Sequence, residues 1–284
     1  MVRLSGTLFI VSTPIGNLGD ISPRVKDALF ESAIVLAEDT RVTQKLLFHL
    51  GIKTPLVSCH EHNERGRFNV IEQAAASDTA VALVSDAGTP LVSDPGYQIV
   101  RKAIELGLKV VPIPGASAAL AALVGSGLPS DRFTFEGFLP DKTGDRMKRL
   151  EKCRDGDRTL IFFIAPSNLA TVLGEMCELF GDRPACLGRE LTKLHEEFIR
   201  GSLSRLKQHI EENGTRGEYV LVVGGADGAK KATQEAVQAR LEELLSGGAK
   251  LKEASSILSR ETGWPSSQIY KLGLAFKQGS EPEA

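Results

Sequence analysis

The chain has 284 residues, of which 42% are hydrophobic and 25% charged, proportions typical of a globular protein with room for two α/β domains. Its formal net charge of −2 at pH 7 gives no overall basic field that would indicate a nucleic-acid partner, although a local basic patch would suffice. Because no apolar run approaches the ~20 residues of a membrane span and the four cysteines lack metal-binding or C-x-x-C spacing, we expect a cytoplasmic protein with reduced thiols, no membrane segment and no metal.

The first half of the chain alternates strand-like and helix-like patterns. Short apolar runs predict strands at Thr7–Ser12, Ile34–Ala37, Pro55–Ser58, Ala80–Val84 and Lys109–Ile113. Amphipathic segments predict the helices between them, at Pro23–Glu31, Thr40–Leu50, Glu64–Ala76 and Tyr97–Leu106. Because the two element types alternate and the strands are almost continuously apolar, we expect a mainly parallel sheet covered by helices on both faces.

The second half repeats this alternation after a helix of small residues, Ala116–Ser126, that joins the two halves. Strands are predicted at Phe133–Phe138, Thr159–Ile164, Ala185–Gly188, Phe198–Gly201 and Tyr219–Val223. Helices are predicted at Lys142–Arg154, Ser167–Phe180 and Ser204–Glu212. The stretch Gly224–Ala229 breaks the pattern and is interpreted as a linker.

Three helical patterns without strands form the tail, at Thr233–Leu245, Lys250–Ser259 and Ser266–Lys277. The last two flank Trp264 in the layout of a helix-turn-helix, and a helical cap on the second domain explains the same pattern equally well. We therefore predict an N-terminal α/β domain over residues 1–115, a C-terminal α/β domain over 116–227 and a small all-α tail over 228–284.

Three loops rich in Gly and Pro follow predicted strands of the first half. The longest is Ser85–Gly96, and its companions are Thr13–Asp20 and Pro112–Ser117. One such loop alone is more often a tight surface turn. Parallel strands, however, deliver their exit loops to one edge of the sheet, where open α/β folds place ligands. The three loops together therefore predict a ligand site at that edge.

Several motifs in consistent order carry a resemblance to a known family. They are Thr13–Asp20, Glu38–Arg41, His62–Glu64, Leu83–Gly96, Pro112–Ser117, Gly137–Pro140 and Arg189–Lys193. Over roughly residues 6 to 226 the chain resembles the ribosomal RNA small subunit methyltransferase I family, a branch of the tetrapyrrole methylase superfamily. The resemblance implies S-adenosylmethionine (AdoMet) as methyl donor and 2′-O-methylation of a cytidine ribose in the decoding region of 16S rRNA. It also implies 16S rRNA or the small ribosomal subunit as partner, and a homodimer with the cofactor in a cleft between two α/β domains.

The resemblance also implies which residues hold the cofactor. They are Pro14, Gly16, Asp86, Ala87, Gly88, Leu91, Pro114, Gly115, Ala116 and Ser117 on one side, with Phe163, Ala165 and Leu187 on the other. AdoMet has no phosphate, so no phosphate-cradling G-x-x-x-x-G-K-[ST] loop is required, and the sequence has none. Close backbone approach is what AdoMet needs, and Gly16, Gly88 and Gly115 permit it.

Methyl transfer to a ribose oxygen is an in-line displacement that depends on alignment and on a base or cation near the hydroxyl. Candidate catalytic residues are Asp39, Arg41 and Glu190, with Asp86, His60 and His62 as further candidate bases. Asp39 with Glu38 could equally favour the positive N-terminus of the helix at Thr40. Two histidines without a third ligand are more often polar loop residues than a metal site.

RNA contacts are predicted on a basic stretch and on one loop. The candidates are Lys142, Arg146, Lys148, Arg149 and Lys193. An ordinary solvated helix explains the basic stretch as well, and Lys193 could pair with Glu190 instead of a phosphate. Two other functions stay open, a tetrapyrrole methyltransferase of the same superfamily and a non-catalytic RNA-binding factor.

Overall fold

Five parallel strands form the first sheet of the computed structural model, which describes residues 6–226, 234–262 and 264–278. The strands are β1 (Thr7–Val11), β2 (Ile34–Ala37), β3 (Leu56–Ser58), β4 (Ala80–Val84) and β5 (Lys109–Ile113). Their spatial order is β3-β2-β4-β1-β5, and every neighbouring pair is parallel. The prediction of a mainly parallel first sheet is therefore confirmed.

Helices cover both faces of this sheet, so that buried side chains form one core cluster on each side. The helices are α1 (Pro23–Glu31), α2 (Thr40–Leu50), α3 (Phe68–Ser77) and α4 (Tyr97–Glu105). The Ser22 hydroxyl accepts a hydrogen bond from the N–H of Val25 and starts α1, and Gly51 ends α2 at a φ of 71°. The α3 helix begins four residues later than predicted because residues 64–67 form a 3-10 turn.

A buried carboxylate on that turn caps the fourth helix. Glu64 is buried, and its carboxylate oxygens accept hydrogen bonds from the backbone N–H groups of Gly96 at 2.7 Å and Gln98 at 2.9 Å. These N–H groups lie at the start of α4 and have no partner within the helix. Glu64 therefore satisfies two of the N–H groups at the start of α4 and ties this helix to the turn before α3.

The second sheet is mixed. Its strands are β6 (Phe133–Phe138), β7 (Thr159–Ile164), β8 (Pro184–Arg189), β9 (Glu197–Ser202) and β10 (Tyr219–Val223). In the order β6-β7-β10-β8-β9, the first pair is parallel and the other pairs are antiparallel. The associated helices are α5 (Ala118–Ser126), α6 (Thr143–Cys153), α7 (Leu169–Phe180) and α8 (Leu203–Asn213). The α5 helix starts at Ala118 because Ser117 is its N-cap.

Three helices form the tail, α9 (Gln234–Ser246), α10 (Leu251–Thr262) and α11 (Ser266–Gln278). They pack around a core of their own that includes Val237, Leu241, Leu258 and Ile269. The second half of the predicted linker, residues 227–229, lies outside the described residues, and the predicted domain boundaries stay a prediction. Within the described part of the chain, no helix has the length and apolar character that crossing a bilayer requires.

Candidate functional site

The exits of three parallel strands lie side by side at one edge of the first sheet. Val11 of β1 is in register with Val84 of β4 on one side and with Ile113 of β5 on the other. The loops that follow these strands therefore start at the same level, as the sequence predicted. This edge is the one where open parallel sheets bind ligands.

Hydrogen bonds tie the three loops together. Thr13 and Gly88 exchange backbone hydrogen bonds of 2.8 and 3.1 Å in an isolated antiparallel bridge. The hydroxyls of Ser12 and Thr89 are 3.0 Å apart, and that of Thr89 donates to the carbonyl of Ala116 at 3.3 Å. Gly88 has a φ of 84°, a left-handed conformation that side chains with a Cβ rarely adopt. The site is thus held by loop-to-loop bonds that depend on this glycine.

A cavity of about 430 Å³ separates these loops from the second sheet. One wall comes from the first-sheet loops and α5, with Ile15, Ala87, Gly88, Thr89 and Ser117. The opposite wall comes from the second sheet, with Phe138, Phe163, Ala165, Tyr219 and Val220. The ring of Phe163 meets those of Phe135 and Phe138 edge to face, at 5.0 and 5.4 Å between centroids. The size and the largely apolar lining are those of a small-molecule site.

The walls fit the cofactor that the resemblance implies. AdoMet has a flat aromatic adenine with polar edges and a cationic sulfonium, and it suits a mostly apolar pocket with backbone polar groups and no phosphate cradle. A Cβ at Gly88 would lie 3.4 Å from Cγ2 of Ile15, so a larger side chain there would fill space between the loops. Ala87, Gly88, Ser117, Phe163 and Ala165, all predicted cofactor residues, line the cavity.

Other predicted cofactor residues lie beside the cavity. Pro14, Gly16 and Asp86 line a neighbouring crevice of about 280 Å³ against α2. A Cβ on Gly16 would come within 2.5 Å of Cγ of Lys193, so this glycine permits contact between the two halves of the protein rather than approach to a ligand.

Four further predicted cofactor residues do not line the cavity: Leu91, Pro114, Gly115 and Ala116. Gly115 packs its Cα against Ser12, where a Cβ would come within 2.8 Å of the serine Cβ. Leu91 packs against the core of the first sheet, Pro114 is exposed, and Ala116 offers its carbonyl to Thr89. The close approach predicted at Gly115 therefore serves the packing of neighbouring strand exits.

Leu187 does not line the cavity. This side chain is fully buried on β8 and belongs to the core of the second sheet. Its backbone pairs with Leu221 on one side and with Ile199 on the other, in the interior of the sheet. A ligand in the cleft cannot reach it without removing part of that core.

The candidate catalytic pair Asp39 and Arg41 forms the start of α2. The Asp39 carboxylate accepts from the backbone N–H of Arg41 at 2.8 Å and from its guanidinium Nη2 at 2.5 Å. These hydrogen bonds lower the pKa of Asp39 to about 2, so its carboxylate is a weak proton acceptor. The Arg41 side chain is 87% exposed. Of the two interpretations of Asp39, the structure favours the helix cap.

Glu190 also has structural partners. Its Oε1 accepts from Lys193 Nζ at 3.0 Å and from the backbone N–H of Glu218 at 2.8 Å. These bonds, the backbone one first, lower the pKa of Glu190. Lys193 also bridges to Glu218 at 3.0 Å, so the predicted phosphate contact would have to compete with two carboxylates.

Three other carboxylates, those of Glu38, Asp86 and Asp94, lie near the exits of β2 and β4. The Asp86 carboxylate accepts a hydrogen bond from the backbone N–H of Asp39 at 2.9 Å. The N–H of Asp86 in turn donates to Glu38 at 3.3 Å. Burial raises the pKa of both Glu38 and Asp86. Burial, with repulsion from Glu38, raises the pKa of Asp94 to about 6. Asp94 belongs to one of the sequence motifs but is not among the predicted bases. The sequence feature that could have indicated it is its position at the end of a loop, before Pro95 and Gly96.

Arg146, a predicted RNA contact, is buried and paired within the protein. Arg146 is 4% exposed, and its guanidinium donates two 2.7 Å hydrogen bonds to the Glu175 carboxylate. It also donates to the carbonyls of Pro140 and Asp141. With these partners the guanidinium fastens α6 to α7 and has no face left for a phosphate.

The other cations of the basic stretch are on the surface. Lys142 is exposed, and the Lys148 side chain is 80% exposed with Asp145 at 3.8 Å. Arg149 donates to Glu136 at 2.7 Å. In the described residues, no three His, Cys, Asp or Glu side chains are grouped so that they could hold a metal.

The fold and cleft define a class of two-sheet α/β proteins, and comparisons with known proteins identify it. Residues 7–207 match the family described as Tetrapyrrole (Corrin/Porphyrin) Methylases. A solved structure, uroporphyrin-III C-methyl transferase from Thermus thermophilus complexed with S-adenyl homocysteine, superimposes with a TM-score of 0.54 at 17% identity. The match covers 77% of this chain and 97% of that one.

Curated relatives match over nearly the whole chain. The ribosomal RNA small subunit methyltransferase I of Pseudomonas aeruginosa is 47% identical over 279 residues, covering 95% of this chain and 97% of that protein. The protein of the same name from Synechocystis sp. is 42% identical over 275 residues, covering 96% and 99%. The chain belongs to the tetrapyrrole methylase family and, within it, to the ribosomal RNA small subunit methyltransferase I branch.

Proposed function

We propose that this protein transfers a methyl group from AdoMet to 16S rRNA of the small ribosomal subunit, at the 2′-hydroxyl of a cytidine ribose in the decoding region. The observation that carries the proposal is the cleft between the strand-exit loops and the second sheet, in a chain 47% identical to a protein named for methylating this RNA. The T. thermophilus enzyme of the same fold, crystallised with S-adenyl homocysteine, supports the choice of cofactor.

The cleft residues would hold the cofactor by shape and by backbone groups. Ala87, Gly88 and Ser117 would lie on one side of it, with Phe163 and Ala165 on the other. When bound, AdoMet supplies a methyl group activated by its sulfonium. The apolar walls exclude water from the reacting atoms, so alignment of the acceptor contributes most of the acceleration.

The cysteines favour an oxygen acceptor over a base carbon. Methylation of a ring carbon commonly uses a cysteine thiolate that attacks the base. Burial raises the pKa of Cys59 to about 12 and that of Cys153 to about 11, and also raises those of Cys177 and Cys186. None of the four therefore offers a thiolate at neutral pH. A ribose hydroxyl needs no covalent intermediate.

RNA binding and assembly are parts of the same proposal. Lys142, Lys148 and Arg149 would contact phosphates, with Arg41 as a further exposed cation. The homodimer is supported by the outer face of α5, where Leu120 and Val124 are exposed one turn apart. The tail is proposed to assist RNA binding, as its helix-turn-helix layout suggests.

One experiment tests the activity directly. Small subunits lacking the modification are incubated with the protein and AdoMet, and the 16S rRNA is then cleaved with alkali. A 2′-O-methyl group blocks cleavage on the 3′ side of the modified nucleotide because the attacking hydroxyl is gone. We expect one protected position at a cytidine. A labelled product that alkali still cuts at that position would place the methyl group on the base and overturn the ribose assignment.

A further inference from the structure

The cofactor cleft shares a wall with a second cavity. A groove of about 740 Å³ lies next to the cleft of 430 Å³, and Ser93 and Asp94 line both. The rest of the groove comes from the exits of β2 and β3 and from the start of α4. Molecules bound in the two cavities would therefore meet at Asp94.

The groove has the chemistry of a nucleoside site. Tyr97 on its wall is 59% exposed, so its ring can stack on a planar base. The rings of His60 and His62 lie edge to face beside it, at 6.1 Å between centroids. Glu38 and Glu61 supply carboxylate acceptors, which suit the hydroxyls of a ribose and the exocyclic amine of cytosine.

Other carboxylates near the cleft form ion pairs or accept hydrogen bonds from neighbouring residues. Asp39 is bound by Arg41, and Glu190 by Lys193. Asp86 accepts from the backbone of Asp39. Asp94, in contrast, forms no ion pair with any Lys or Arg in the part of the chain that the structure describes. The hydroxyl of Ser85 favours the charged form of this carboxyl and so lowers its pKa, but by less than burial raises it.

We infer that the acceptor nucleoside enters the groove and that Asp94 accepts the proton of its ribose hydroxyl during methyl transfer. The inference rests on the proposed function, which supplies the donor and the acceptor. The hydroxyl O–H bond breaks and its proton goes to the Asp94 carboxylate, while the oxygen forms a bond to the methyl carbon. The electron pair of the broken carbon–sulfur bond stays on sulfur, which becomes a neutral thioether, and Asp94 then releases the proton to water.

The charges around Asp94 suit this role. Burial opposes the negative charge of Asp94 most strongly, Glu38 and, to a smaller extent, Asp86 repel it, and the Ser85 hydroxyl stabilises it. The groove adds His60, His62, Glu61, Glu64 and Arg65. The resulting pKa of about 6 leaves a carboxylate at neutral pH that is a better proton acceptor than an ordinary aspartate.

The test compares Asp94→Asn with a matched control, Asp78→Asn. Asp78 is exposed at the end of α3 with a φ of 53°, a conformation that Asn accepts readily, so the control makes the same charge change away from both cavities. Affinity for AdoMet is measured by calorimetry, and methylation of small subunits is measured in single turnovers at saturating AdoMet between pH 5 and 9.

Asp94→Asn should bind AdoMet within about twofold of the wild-type affinity, yet methylate ~100-fold to 10,000-fold more slowly, the range that general-base catalysis supplies. The rise of the wild-type rate with pH near 6 should be absent from the residual activity. Asp94→Glu, which restores a carboxylate one methylene longer, should recover part of the rate, and Asp78→Asn should behave as wild type.

A direct titration gives a readout without turnover. In the ligand-free protein, carbon-13 NMR of labelled aspartate carboxyls should show one resonance that titrates near pH 6 and disappears in Asp94→Asn. Should Asp94→Asn methylate at the wild-type rate with the same pH profile, the inference is overturned while the proposed function stands. Should the wild-type protein itself fail to methylate small-subunit RNA, the proposed function fails, and the inference with it.

Discussion

The backbone N–H of Asp39 donates a hydrogen bond to the carboxylate of Asp86 at 2.9 Å. This bond joins the loop after β2 to the loop after β4, two neighbouring strands of the first sheet. With the bond from Asp86 N–H back to Glu38, it fixes the two exits to each other on the side of the groove. The two loops are therefore tied to each other beside the groove, which Glu38 lines.

Gly88→Val should abolish AdoMet binding, because the side chain would point toward Ile15 between the loops and φ at this position is 84°. The left-handed conformation alone costs about 1–2 kcal/mol for a residue with a Cβ. Gly107→Val is the matched control, since Gly107 has a φ of 75° and open space around it. Calorimetry should show no AdoMet binding for Gly88→Val and unchanged affinity for Gly107→Val. Equal AdoMet affinity in the two folded variants would show that residue 88 is not part of the cofactor site.

Asp94→Asn should stabilise the protein at alkaline pH. The folded-state pKa of about 6 lies above the ordinary value of 3.8, so the folded protein binds more protons than the unfolded chain between these values. The free energy of unfolding contributed by Asp94 therefore falls as pH rises through 6. A shift of about 2 units corresponds to ~3 kcal/mol, which solvent screening at this half-exposed group reduces to about 1 kcal/mol.

Urea unfolding at pH 5 and pH 8 measures this difference. The advantage of Asp94→Asn over wild type should grow from the lower to the higher pH, while Asp78→Asn should show no such growth. A constant difference between Asp94→Asn and wild type at both pH values would mean that Asp94 titrates normally in the folded protein.

Arg146 and Lys148, two residues apart on α6, should respond in opposite ways to alanine. Arg146→Ala leaves the Glu175 carboxylate buried without its partner and should lower the free energy of unfolding by about 3 kcal/mol. Lys148→Ala should leave stability unchanged and weaken RNA binding with a smaller salt dependence, because an exposed lysine releases counterions when it meets a phosphate. Filter binding at several salt concentrations and urea unfolding distinguish the two roles. An unchanged salt dependence in Lys148→Ala would remove this face of α6 from the RNA-binding surface.

Removal of residues 229–284 should leave AdoMet binding intact and abolish methylation of the small subunit. The three tail helices have a hydrophobic core of their own, and the residues that line the cofactor cleft all belong to the two sheet-containing halves. Calorimetry with AdoMet and the alkali assay measure the two properties separately. Full methylation by the shortened protein would indicate that the tail is only a helical cap.

Sequence patterns of neighbouring residues predict most of the helices and strands. The Gly that ends α2, the Ser and Pro that start α1 and the apolar strands of the first sheet are determined by neighbours along the chain, and their predicted limits agree with the structure within a residue. The strand-exit loops also met where the parallel arrangement predicted. The antiparallel pairs of the second sheet depend on contacts between distant segments, which no single strand pattern encodes.

The surroundings of three candidate site residues depend on contacts that local sequence does not encode. Arg146 stands in a basic stretch, but its partner Glu175 is 29 residues away, and only the packing of α6 on α7 brings them together. Leu187 lies next to motif residues, yet the pleat of β8 directs its side chain into the core. The position of Asp94 on the wall of both cavities depends on how distant segments of the chain pack together.

The carboxylate of Glu64 disfavours the binding of an anion in the groove. A helix N-terminus is a natural receptor for phosphate, and that of α4 lies at the groove. Here the chain supplies its own anion, since Glu64 already takes the N–H groups of Gly96 and Gln98. A phosphate that approached this point would meet a like charge and would find these two N–H groups already occupied. On the inferred role of the groove, the phosphates of the acceptor would be repelled here, and its base and ribose would have to turn out of the RNA strand to enter.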